Sequence, residues 1–153
     1  MTYDIHFHRA SPTGDDTGPA IPDDPDPEPR PLDLTDEQRA AWHRLARRAA
    51  REIGAVTCEE YLYDLTMLHD GPAGHLQLDY SGDFASLHIA YHYRGQEARP
   101  IMAEAYRLGR LVEEELGLEG HDHEVGQPVR TGDPDVAAAR LGGVSDWAQT
   151  NLT

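Results

Sequence analysis

Along Tyr3-Asp4-Ile5-His6-Phe7-His8 apolar and polar residues alternate strictly. The pattern predicts a half-buried strand with Tyr3, Ile5 and Phe7 on one side and Asp4, His6 and His8 on the other. From Ala10 to Asp33 the composition changes to Pro, Asp, Gly and Thr, and seven of the 11 prolines fall between Pro12 and Pro31. Such a stretch buries too little apolar surface to offset its ordering entropy, so 10–33 is expected to be a flexible acidic loop. Thr35 followed by Gln38 carries the signature of a capping box, with Leu34 as the staple residue before it. Beyond it Trp42, Leu45, Ala46, Ala49 and Ile53 recur at helical spacing, with Arg44, Arg47, Arg48 and Arg51 on the opposite side and Gly54 as the stop.

Further along, the period shortens to two. Tyr61 to Leu68 is rich in β-formers, His75 to Tyr80 alternates, and Phe84 to Tyr93 alternates again, with turn residues at Asp70 to Gly74 and Ser81 to Asp83. These segments predict an antiparallel meander. Pro100 suits the start of a second helix, whose buried stripe is Ile101, Ala105, Leu108, Val112 and Leu116, closed by Gly117. Glu104, Arg107, Arg110 and Glu114 are spaced for pairs along that helix. After Gly120 the pattern fades, so 121–153 is expected to be an irregular tail, holding a short helix over Asp135 to Leu141 that Gly142-Gly143 breaks, and Trp147 as an anchor. The expected whole is a single domain over 1–153. Its class is α+β, a two-layer sandwich of a four-stranded, mainly antiparallel sheet with two helices on one face.

Period-two geometry then places chemistry. With the helices over the apolar side, His6, His8, His75, His88 and His92 share the uncovered face with Asp4 and Asp79. Nine histidines in 153 residues raise the question of a metal. His88 and His92 lie ~13 Å apart along a strand, too far for one ion, whereas His6 and His8 are close enough for His88 or His92 of a neighbouring strand to complete a set around zinc or another divalent transition metal. His121-Asp122-His123-Glu124 is a second cluster. Neither matches a sharp zinc signature, and ordinary polar histidines on an open sheet face account for the same pattern, with no cofactor. No nucleophile elbow, phosphate loop or isolated carboxylate pair is recognisable, so an enzyme is not the favoured reading.

Charge narrows the partners. There are 28 acidic residues against 13 basic, a formal net charge of −15, which argues against nucleic-acid binding by phosphate attraction. No apolar run reaches the ~18 residues of a membrane-spanning helix, and no signal sequence is evident. Cys58 stands alone, which suits a reducing cytoplasm, and is expected to be a small buried hydrophobe.

Three stretches carry a resemblance: Met1-Thr2-Tyr3-Asp4-Ile5, Ile89-Ala90-Tyr91-His92-Tyr93, and Ala105-Tyr106-Arg107-Leu108-Gly109-Arg110-Leu111-Val112-Glu113 leading into Gly117-Leu118-Glu119-Gly120-His121-Asp122. Together they resemble small uncharacterised bacterial α+β proteins, some of them immunity-protein-like. There the last motif usually reads glycine, tyrosine, aspartate, proline, glutamine; here His121 and His123 replace the tyrosine and the proline. The resemblance implies a non-enzymatic inhibitor of a bacterial toxin and brings no catalytic residue. Acidity points the same way, because an acidic domain suits the basic channel of a nuclease toxin. The expected contact residues are Asp4, His6, His8, His75, Asp79, His88 and His92 on the sheet, and Asp23, Asp24, Asp26 and Glu28 in the loop. A metal-binding protein or metal-dependent enzyme using His6, His8 and His88 is the alternative.

Overall fold

The computed structural model describes residues 2–9, 31–91, 93 and 95–151, with the side chains of 95 and 144–151 outside that description. The Ala10 to Arg30 part of the acidic loop, with Asp23, Asp24, Asp26 and Glu28, as well as His92 and the Trp147 side chain, therefore lies outside the described residues.

Strand β1 (Thr2–Arg9) buries Tyr3, Ile5 and Phe7 completely, as its alternation requires. Helix α1 (Asp36–Glu52) opens with the reciprocal capping box: Gln38 N donates to Thr35 Oγ1 (3.0 Å) and Thr35 N donates to Gln38 Oε1 (2.9 Å). Its apolar stripe seats Trp42, Leu45 and Ala49 in the core, with the Trp42 ring stacked on Tyr80 at 5.7 Å. Then come β2 (Val56–Glu60), β3 (Leu65–Gly71), β4 (Gly74–Tyr80) and β5 (Phe84–Ala90). A single 3₁₀ turn leads into α2 (Ala98–Leu116), which buries Ile101, Ala105, Leu108 and Val112 and ends at left-handed Gly117 (φ 67°). The chain closes with β6 (Leu118–Asp122), the two-residue β7 (Gln127–Pro128) and α3 (Pro134–Asn151).

The class is α+β, but among the described residues the sheet has seven strands where four were expected, and three helices replace two. All pairings are antiparallel, in the order β2-β3-β4-β5-β1-β6-β7. β1 is therefore a central strand: Tyr3 faces Ile89 and Ile5 faces Leu87 across one ladder, while Phe7 faces Gly120 across the other. The expected strand from Tyr61 divides, since residues 61–64 form the connection between β2 and β3 and leave Tyr61, Leu62 and Tyr63 exposed. Where an irregular tail was expected, β6, β7 and an 18-residue α3 form, and α3 runs through Gly142-Gly143 because Ala137, Ala138 and Leu141 are buried. Cys58 corrects another expectation: it sits exposed on edge strand β2, and partial burial pushes its thiol up, away from the reactive thiolate. No described helix is long and apolar enough to cross a membrane.

Candidate functional site: the uncovered sheet face

α1 and α2 bury the side of the sheet that carries Tyr3, Leu78, Leu87 and Ile89, and α3 packs against α2. On the other side the register lines up polar residues in rows across the strands. One row runs Thr66, Asp79, Ser86, His6, His121 from β3 to β6, each directly opposite the next. The neighbouring row runs Leu68, Gln77, His88, Asp4. Directly opposed side chains in antiparallel strands have Cβ atoms ~5 Å apart, so residues distant in sequence interact here.

At the centre, His88 sits between two carboxylates. Its Nδ1 lies 2.7 Å from Asp4 Oδ1 and its Nε2 lies 3.0 Å from Asp79 Oδ2, with Ser86 Oγ 3.0 Å from the same Nε2. Thr66 Oγ1 donates to Asp79 Oδ1 (2.8 Å), Gln77 Nε2 donates to both Asp79 oxygens (3.2 Å each), and Thr2 Oγ1 donates to Asp4 Oδ1 (2.5 Å). Burial alone would raise the Asp4 carboxyl; the hydrogen bonds from Thr2 and His88, with the imidazoles of His88 and His6, outweigh it and hold Asp4 below the ordinary carboxylate range. The result is a fixed, half-exposed acidic centre, oriented by hydrogen bonds instead of swinging freely in solvent.

Toward β6 the face becomes imidazole-rich. The His6 and His8 ring centroids are 6.5 Å apart, those of His6 and His123 6.0 Å, and those of His121 and His123 4.5 Å, while Phe84 lies 5.8 Å from His6 and 5.0 Å from His8. Burial, together with the neighbouring imidazoles, pushes His6 below its usual value in spite of Asp4. An open cleft of about 430 Å³ adjoins this patch and is lined by His8, His121, His123 and Glu119, with Arg130 among its other walls.

The expected site residues thus separate. Asp4, Asp79 and His88 form one network, His6 and His8 belong to another, and His75 is exposed at the start of β4 opposite Asp70. The proposed metal trio of His6, His8 and His88 is split between these two groups, because Asp4 and Asp79 already hold both His88 nitrogens. The loop cluster is split too. Asp122 faces the core, fully buried, accepting from Tyr3 Oη (2.7 Å) and Tyr106 Oη (2.5 Å), whereas His121 lies directly opposite His6. Sequence reasoning did not join His121 and His123 to His6, for the only available signal was the Gly120-His121-Asp122-His123 alternation. Comparison of the chain with family models, curated proteins and solved structures finds no match.

Proposed function

We propose that this protein is a non-enzymatic binding module whose uncovered sheet face engages a basic protein, in the manner of an immunity protein or antitoxin-like inhibitor of a bacterial toxin. The observation that carries the reading is the Asp4-His88-Asp79 network: two carboxylates fixed half-exposed in the middle of a sheet face that no described helix covers. Carboxylates already held in place lose little conformational entropy when a cationic side chain arrives, which favours complementarity over loose attraction. The net charge of −15 adds long-range steering, and the association rate should fall as salt rises. Phe84, 37% exposed against His6 and His8 on the same face, supplies an apolar contact of the kind that anchors interfaces.

The test is co-purification of a toxin domain from the native lysate, followed by binding kinetics with that domain. The reading predicts a basic partner, inhibition of its toxic activity, a strong loss of association rate between about 50 and 300 mM NaCl, and weakened binding in the D4N/D79N variant. A neutral or acidic partner, or binding indifferent to both salt and the double substitution, overturns it.

A further inference from the structure

The uncovered face does not end at β3. Glu59 of β2 stands directly opposite Thr66 and so continues the row that leads on to Asp79, while Thr57, opposite Leu68, continues the neighbouring row. β2 is the last strand on this side of the sheet and pairs with β3 alone. Alternate residues of an edge strand turn their N–H and C=O groups outward, where a further strand can bond to them. The opposite edge, β7, is only Gln127–Pro128, too short and too proline-bound to serve. The two glutamates of β2 differ in what answers them. Glu60 Oε1 accepts from Arg39 Nη1 (2.8 Å), whereas among the described residues Glu59 accepts only from the neutral Tyr61 hydroxyl. Just beyond the strand come Tyr61 (53% exposed), Leu62 (64%) and Tyr63 (46%), three of the five large apolar side chains exposed among the described residues. Apolar side chains gathered beside an open edge mark a place where another chain is received. On the helix side of the same edge, an open cleft of about 200 Å³ has Trp42, Cys58, Leu65 and the Arg39–Glu60 pair in its lining.

We propose that the outer edge of β2 receives an extended, cationic segment of a protein partner as one further strand of the sheet. Backbone bonds to β2 supply the affinity, and the alternation of the incoming strand supplies the selection. Its residues on the uncovered face come beside Thr57 and Glu59, in line with Asp79, and suit lysine or arginine. Those on the helix side come beside Cys58 and the cleft, and suit an apolar side chain of moderate size. A second copy of this chain is a poor occupant, because molecules that each carry −15 repel one another and β2 itself holds no basic residue to answer Glu59. The inference rests on the basic-partner reading for the source of the strand, and adds how that source is gripped, through residues that reading does not use.

The probe is a synthetic peptide of about seven residues, the length of an ordinary strand, in which lysine and valine alternate and both ends are capped. It is titrated into the full chain at about 100 mM NaCl while amide hydrogen exchange is followed residue by residue. Saturable one-to-one binding should slow exchange within Val56 to Glu60. Two further peptides decide whether the contact is a strand: one is N-methylated on the backbone nitrogens of its lysines, the other on those of its valines. A strand at an edge bonds to it through one set alone, so one of these should bind at least about tenfold more weakly than the parent peptide and the other within about twofold of it. E59Q should weaken the parent peptide about two- to fivefold, the range of an exposed ion pair, and D4N/D79N should leave it within about twofold. Equal loss with both methylated peptides, unchanged exchange at β2, or self-association of the chain through this edge overturns the inference. A captured basic partner that responds to D4N/D79N, but neither to E59Q nor to competition by the peptide, overturns it too and leaves the sheet-face reading standing. Peptide binding at β2 with no basic partner in the lysate upholds the edge and overturns that reading instead.

Discussion

Asp122 has no exposed surface, and one of its oxygens accepts from the hydroxyls of both Tyr3 and Tyr106, while Gln127 Nε2 donates to the Tyr106 hydroxyl (2.7 Å). One carboxylate thereby fastens β1, α2 and β6 together. Replacing it by Ala leaves two buried hydroxyls without their acceptor, and we expect a loss of about 3 kcal/mol or more in urea unfolding. Asp122→Asn keeps an acceptor oxygen and should lose less. The same bonds govern behaviour in alkali. Burial, reinforced by the Asp122 carboxylate, raises both Tyr3 and Tyr106 above the usual tyrosine value. A folded-state value above the unfolded one contributes stability that is intact below about pH 10 and is lost as pH rises beyond it. Ionisation of these two buried tyrosines should therefore accompany loss of the helical signal; their ionisation with the fold intact would refute this. Asp4 has the opposite sign. Its depressed value contributes stability above the unfolded carboxyl range that is lost as pH falls through the folded value, so Asp4→Asn should flatten the acid limb of the stability profile.

Among the elements, β6 shows how backbone space sets sequence. A Cβ on Gly120 would lie 2.5 Å from Phe7 Cε2 and 2.8 Å from Val129 Cγ2, so Gly120→Ala should destabilise by about 1 to 3 kcal/mol through overpacking, measured as a lower denaturation midpoint. Such a strand is hard to read in advance, because glycine and a buried aspartate occupy the core positions where alternation calls for apolar residues. β2 escaped for another reason: it is an edge strand whose residues are exposed apart from half-buried Val56, so no core face left a mark on its sequence. For α3 a signal was present and outweighed. Asp133 Oδ1 accepts from Asp135 N (2.9 Å) and Pro134 is the first helical residue, a cap-and-proline start, but the paired glycines argued for a break. By contrast β1, α1, β4 and α2 were legible, since each joins an unambiguous period to a cap or a turn. The open face was legible for the same reason, whereas the meeting of His6 with His121 depends on a long-range register that periodicity does not encode. Long-range partners also replaced expected local ones on α2: Arg110 donates to the carbonyls of Val129 (3.3 Å) and Gly132 (3.0 Å), and Glu114 meets Arg48 of α1 at 2.7 Å.

At the scale of the whole molecule, acidity is distributed against a basic helix face that is answered from within. Arg44 and Arg48 pair with Glu115, and Arg48 also with Glu52 and Glu114. The described counter-charge is thus α2, together with Glu52 of α1 itself. Exposed pairs of this kind are each worth little, while the surplus of carboxylates repels itself throughout. Raising NaCl from about 20 to 200 mM should therefore increase the melting temperature by a few degrees; a fall would mean that the ion pairs outweigh the repulsion. The central position of β1 has a consequence in time. β1 is synthesised ahead of both its partners and must wait for Phe84 to Ala90 on one side and for Leu118 to Asp122 on the other, so neither ladder closes until a distant part of the sequence has been made. Contacts of such long sequence separation slow folding. Until synthesis passes Asp122, Tyr3, Ile5 and Phe7 form an apolar strand with at least one open edge, and it is then that the protein depends most on its surroundings to avoid pairing with the wrong chain.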